Sequence, residues 1–268
     1  MLGLGSYSFR WSVGHKGLVP KVPMTHAQML DVATEHGLGL VQFADNIPME
    51  LLNAEGVQDL AAKARGLGLV IELGTQNFKS EEMLRYIDYA RIMDAKILRV
   101  ALDGPDAKIP VPELAKAFRD LLPQARDVGL RIAVENHFNY PAPRLAQLMR
   151  EIDEPDVGVC LDVANSICAG EWPTETVATL APFAINLHLK DYDIVPDPYG
   201  VGFAIYGTPL GQGRTDCPAV LDALPKDREI NVIIEHWLPK GDDIEQARRV
   251  EHIWLAQSVA YARDTLGL

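Results

Sequence analysis

Cysteine is scarce in this chain. The three present, Cys160, Cys168 and Cys217, are odd in number and fall in no Cys-x-x-Cys spacing, so neither a disulfide framework nor a thiolate zinc site is indicated. Basic runs are also missing. Acidic residues outnumber basic ones 37 to 25, and a formal net charge of −12 without a Lys/Arg cluster argues against nucleic acid or an anionic membrane as partner. No apolar run approaches membrane-spanning length. The opening Met-Leu-Gly-Leu-Gly-Ser-Tyr has no basic lead before a long apolar region, so no secretory signal is expected and the expected location is the cytoplasm. No Gly-x-Gly-x-x-Gly turn follows the first apolar strand, and no Gly-rich cradle opens a helix. A dinucleotide fold and a phosphorylated substrate therefore lack sequence support.

What the chain does have is core material and a repeated construction. Hydrophobic residues make up 48% and charged residues 23%, a balance that can bury a sizeable core. Four apolar runs, 130–135, 157–162, 184–188 and 230–235, each stop at a side chain able to bind a metal: Glu135, Asp162, His188 and Glu235. Short continuous Val/Ile/Leu runs between helical segments are the pattern of parallel strands buried on both faces. The first strand is predicted over 2–9, and Thr25 is placed to cap a helix burying Met29, Leu30, Val32 and Ala33. Eight strand and helix pairs follow from the whole pattern. They predict an α/β fold, a single (β/α)8 barrel domain over 1–268, with an open doubly wound sheet as the alternative. The 47-residue step from His188 to Glu235 exceeds one strand–helix unit, and the excess is predicted to be a long active-site loop at about 190–215.

In such a barrel the active site lies at the carboxyl ends of the strands, where these four residues fall. Three carboxylates and one imidazole suit one divalent ion, Mn²⁺ or Mg²⁺, with Co²⁺ or Zn²⁺ as further candidates. An ion on the carbonyl and neighbouring hydroxyl of a keto sugar would lower the cost of an enediolate, while Glu135 and Glu235 could move the proton. His137, Asn165, Lys190 and Arg214 are the candidate substrate contacts. Trp11, Trp237 and Phe9 could wall the pocket. Asp45, Asn46, Gln76 and Asn77 are expected to be loop anchors, and His15, His26, His36 and His252 are expected to be uninvolved.

The segments Val-Glu135-Asn-His, Leu-Asp162-Val-Ala-Asn, Leu-His188-Leu-Lys-Asp, Pro-Leu-Gly-Gln-Gly-Arg-Thr-Asp216 and Ile-Glu235-His-Trp together resemble the xylose isomerase-like TIM barrel superfamily of sugar phosphate isomerases and epimerases. The resemblance spans nearly the whole chain. It implies that Glu135, Asp162, His188 and Glu235 are the metal ligands, with Glu135 and Glu235 also an acid/base pair. Many epimerases of this family carry a histidine three residues after the metal aspartate; here Asn165 stands, an amide that cannot titrate. The group around His137, Asn165 and 203–214 more closely resembles the subset associated with 3-oxo-isoapionate decarboxylase. The expected function is therefore a metal-dependent isomerase or epimerase of a small keto sugar. The alternatives are a decarboxylating lyase of a 3-oxo sugar acid and a barrel that binds a sugar without turning it over. An endonuclease IV type of enzyme is disfavoured by the charge and the few rim histidines. The expected partner is a small keto sugar or sugar acid, with a homodimer or homotetramer expected from the resemblance.

Overall fold

The computed structural model describes residues 1–268. Its strands are β1 (Leu2–Gly5), β2 (Leu40–Phe43), β3 (Val70–Gln76), β4 (Ile97–Ala101), β5 (Arg131–Glu135), β6 (Val157–Asp162), β7 (Ala184–Leu189), β8 (Asp191–Pro196), β9 (Phe203–Thr208) and β10 (Asn231–Ile234). Eight of these close into a barrel in the order β1-β10-β7-β6-β5-β4-β3-β2, every pair parallel. Helices cover the outside, so strands such as Val157–Asp162 are buried along their whole length. That double burial explains their unbroken apolar character. The open-sheet alternative is excluded by closure.

The helices start where the sequence places their caps. Thr25 forms a capping box with Gln28 ahead of the helix His26–Glu35, and Met29, Leu30, Val32 and Ala33 are its buried face. The helix Val111–Asp127 buries Leu114, Phe118, Leu121 and Leu122, spaced by three or four residues as a single stripe requires. Each such side chain contributes roughly 1.5–3 kcal/mol on leaving water.

Two local expectations are corrected. β1 ends at Gly5 rather than near residue 9, and Ser6–Phe9 is a 3-10 turn leading into the short helix Arg10–Val13. Hydroxyl groups replace the strand ladder there: Ser6 Oγ accepts from Ala44 N at 2.9 Å, and Ser8 Oγ donates to the Ile234 carbonyl at 2.8 Å. The stretch 190–215 is not simply a loop, because β8 and β9 pair as an antiparallel hairpin with Asp191 opposite Thr208. A short helix, Asn165–Cys168, also follows β6 directly.

Candidate active site

The parallel register brings the four rim residues to one end of the barrel, with Asp162 and His188 directly level and the other two staggered by two residues. Asp162 pairs with His188 across β6 and β7, and Ile234 pairs with Leu189 across β10 and β7, which puts Glu235 beside Lys190. Glu135 ends β5 opposite Cys160. All four side chains are at most 1% exposed. Gly5 makes this possible on the β1 side, since a Cβ there would lie 2.5 Å from Glu235 Cγ. No other residue type leaves Glu235 its place.

The cluster is centred on the His188 ring. Its Nδ1 lies 3.2 Å from Glu135 Oε1, 3.4 Å from Glu235 Oε2 and 3.7 Å from Asp162 Oδ2. Its other nitrogen, Nε2, is 2.7 Å from Gln42 Oε1. The Gln42 amide nitrogen is committed to Glu72 Oε2 at 2.9 Å, so its carbonyl oxygen faces the ring and Nε2–H must donate to it. That leaves the Nδ1 lone pair aimed at three carboxylates. Nδ1 has no hydrogen-bond partner, and neither has Glu235 Oε1. Burial disfavours charge on the ring, yet Cys160, Glu235 and Glu135 around it raise its proton affinity well above that of an ordinary histidine. The site thus calls for positive charge at its centre. One ligand atom each from Glu135, Asp162 and His188 lie within 4.8 Å of one another, so these residues could hold a metal ion, with Glu235 at their edge. A mostly oxygen donor set with a single imidazole fits a hard or borderline divalent cation.

Two buried cations complete the electrostatics: Lys190, expected as a substrate contact, and Arg99, which the sequence reading did not single out. Lys190 Nζ bridges Asp162 Oδ2 and Glu235 Oε2, the latter at 2.9 Å. Burial opposes its charge, but Asp162, Glu235 and Glu135 overcome this and raise its pKa. Arg99, in the middle of β4, is paired with Glu135 Oε2 and, at 3.0 Å, with Asp45 Oδ1. Burial alone would raise the pKa of Glu135, but Arg99, His188 and Lys190 together hold it well below the usual carboxylate range. Asp162 is lowered in the same way: burial raises it and Lys190 chiefly brings it down. Asn165 Nδ2 donates to Glu135 Oε1 at 3.0 Å, so both oxygens of that carboxylate are engaged. Asn136 locks the strand ends, exchanging two 2.8 Å hydrogen bonds with the backbone of Asp162.

Above the cluster opens a cavity of about 590 Å³, a size suited to a small molecule. Glu135, Glu235, Asn165, Lys190 and His137 line it, as do Trp11 and Trp237. His137 Nδ1 lies 3.4 Å from Asp103 Oδ2. Arg214 is not brought there; it is exposed, with Nε 2.7 Å from Asp193 Oδ1 on the hairpin. Phe9 packs in the core against His252, with ring centroids 4.8 Å apart. His15, expected to be uninvolved, lines the cavity, and so does Gln76. Asp45 is indeed an anchor, accepting from Tyr7 Oη at 2.8 Å as well as from Arg99. Arg99 had a visible signal, being a charge inside an apolar strand, as Glu72 is in β3.

A buried carboxylate–imidazole cluster at the carboxyl-terminal rim of a closed parallel barrel defines the class: a (β/α)8 barrel of enzyme type with a site able to hold a metal. The chain belongs to the xylose isomerase-like TIM barrel family, whose model matches residues 28–257. It is 31% identical over 261 residues to 3-oxo-isoapionate decarboxylase of Pectobacterium atrosepticum, covering 97% of this chain and 94% of that relative. Among solved structures, D-psicose 3-epimerase in the presence of D-fructose superposes with a TM-score of 0.73 at 15% identity, covering 100% of this chain and 99% of the other. A xylose isomerase-like TIM barrel protein of Mycobacterium smegmatis in complex with magnesium gives 0.65 at 18% identity, covering 90% and 93%. These structural likenesses are evidence of the shared fold. The 31%-identical relative is an enzyme, a decarboxylase, and the structural neighbours that share the fold include an epimerase.

Proposed function

We propose that the protein is a divalent-metal-dependent lyase that removes carbon dioxide from a small 3-oxo sugar acid. The carrying observation is the engagement of Glu135 on both oxygens, by Arg99 on one and Asn165 on the other. Epimerisation at carbon calls for two groups that trade protons on opposite faces, and a glutamate fixed as a paired anion is a poor member of such a pair. Decarboxylation needs only one proton delivered after the carboxylate departs. Glu235 keeps one oxygen for that step: Oε2 is paired with Lys190, while Oε1 enters neither a hydrogen bond nor an ion pair. The extended identity to a 3-oxo-isoapionate decarboxylase supports the same choice.

In this reaction the bond between the carboxyl carbon and the α-carbon breaks. Its electron pair moves toward the 3-oxo oxygen as carbon dioxide leaves, and the α-carbon then takes a proton to give a ketose one carbon shorter. Glu135, Asp162, His188 and Glu235 would hold the divalent ion, which when bound supplies a Lewis acid for the charge developing on that oxygen. Lys190, against Asp162 and Glu235, keeps both carboxylates in place. Trp11 and Trp237 wall the cavity and limit water, while His137 and Asn165 present polar groups to the sugar hydroxyls.

Sugar isomerisation or epimerisation is the second reading, favoured by the placement of Glu135 and Glu235 on either side of Asp162 around the His188 nitrogen. The two separate cleanly. Manganese-loaded protein is incubated with 3-oxo sugar acids and with ketoses, with carbon dioxide and the NMR spectrum of the product followed together. Carbon dioxide released in step with a shorter ketose is the expected result; a product isomeric with its substrate would sink the lyase. Glu235→Gln is expected to lower kcat by about 10² to 10⁴.

A further inference from the structure

The buried cations of the cavity are not equivalent. Arg99 is neutralised by Glu135 and Asp45, and Lys190 by Asp162 and Glu235. Arg10, which lines the same cavity, joins no ion pair, and its Nε is buried without a hydrogen-bond partner. Its guanidinium lies over the Tyr7 ring, whose centroid is 5.5 Å away. Burial lowers its pKa, outweighing the more distant charges of Glu235 and Glu251, neither of which forms an ion pair with it. Leaving such a donor unmet costs about 1–3 kcal/mol or more.

Arg10 is nonetheless held firmly. The next two residues, Trp11 and Ser12, donate their backbone N–H groups to Glu251 at 2.6 and 3.0 Å, and Trp11 Nε1 donates to the Leu238 carbonyl at 2.9 Å. An unpaired guanidinium on an anchored stretch of backbone, in a cavity of substrate size, is a prepared site for an anion.

We infer that Arg10 holds the carboxylate of the substrate, so that this site selects sugar acids over neutral sugars of the same length. The inference deepens the lyase reading and rests on it for the substrate being an acid. Lys16 also lines the cavity without an ion pair but is exposed, so Arg10 is the cation there with a buried donor left unmet. A phosphate dianion would have to approach Glu135, Glu235 and Asp103, which face the same cavity. A guanidinium also offers the planar fork that a carboxylate accepts two-fold.

The test is a calorimetric titration of manganese-loaded protein with D-threonate and with threitol, a four-carbon acid and its uncharged counterpart. Wild type, Arg10→Gln and Arg10→Lys are compared; any coordination of the acid by the ion is common to all three and drops out of the ratio. Expected are binding of threonate by the wild type, a loss of about tenfold or more in Arg10→Gln, and a partial loss in Arg10→Lys. Threitol binding and the manganese titration should be unchanged. Equal threonate affinity in a folded Arg10→Gln variant would overturn the inference and leave Arg10 as packing for Tyr7, and so would a wild type that does not prefer threonate to threitol. If the threonate preference depends on Arg10 while no 3-oxo acid loses carbon dioxide, the reaction is wrong and the acid site stands.

Discussion

Gln42 decides what His188 can do. Its carbonyl oxygen fixes the ring proton on Nε2, and its amide group is in turn fixed by Glu72, which also accepts from Asn186 at 2.9 Å and Asn231 at 2.7 Å. Partners behind a ligating histidine typically set metal affinity within a factor of 10–100. Gln42→Leu is accordingly expected to weaken Mn²⁺ binding about 10- to 100-fold, read by competition with a chromophoric chelator; unchanged affinity would refute the tautomer assignment. Neither Gln42 nor Arg99 was identified from the sequence as part of the site. Both lie inside strands that read as plain core, in Leu40-Val-Gln-Phe and Ile97-Leu-Arg-Val-Ala. A polar side chain in a strand buried on both faces must find a partner, and that requirement was the legible clue. Which partner it finds depends on strands distant in the chain.

The hairpin β8–β9 and the turn after it form one element organised by Asp191. Its carboxylate accepts backbone N–H groups from Gly211, Gly213 and Thr215, each at 2.9 Å. The Pro-Leu-Gly-Gln-Gly-Arg segment thus wraps an internal anion, and Arg214 points away from the cavity toward Asp193. A Cβ at Gly213 would collide with the Tyr192 carbonyl oxygen and Asp191 Oδ1. Gly213→Ala is therefore expected to keep the barrel but loosen 209–215, seen as faster limited proteolysis there; cleavage at the wild-type rate would show that the wrap tolerates the methyl group. Alternation of polar and apolar residues along 191–194 was present in the sequence. The turn-rich Pro-Asp-Pro-Tyr-Gly stretch obscured it, because antiparallel pairing becomes visible only when both strands are matched.

At the scale of the molecule, stability should depend on pH and on the ion. Glu251, on the helix Ile244–Asp264, is fully buried; burial pushes its pKa from 4.5 up to about 7 despite hydrogen bonds from Trp11 and Ser12. The folded chain therefore keeps a proton that the unfolded chain gives up. The stabilisation from this group is complete below about pH 4.5 and is lost as pH rises toward 7, by about 3 kcal/mol in all. Comparing urea unfolding of wild type with Glu251→Gln across that window should show the wild type losing stability relative to the variant as pH rises; parallel curves would exclude it. For the ion, saturation at about a hundred times its Kd adds about 2.7 kcal/mol. Chelation should then lower Tm by about 5–10 °C, restored by Mn²⁺. A Tm indifferent to both would mean the cluster holds no ion.

The order of the barrel strands and the residues that end β5 and β6 were determined by the sequence, because burial on both faces writes itself as apolar runs that stop where the chain meets the rim; β7 runs one residue past His188. The cap at Thr25 and the buried face behind it were equally local. The tertiary structure alone decided the electrostatics of the site: that Arg99 from β4 neutralises Glu135, that Gln42 from β2 sets the His188 tautomer, that Arg10 stands unpaired and Arg214 outside. Such pairings join residues up to 146 positions apart. Charge interactions are set by distance in space, and only closure of the barrel brings those distances to a few ångströms.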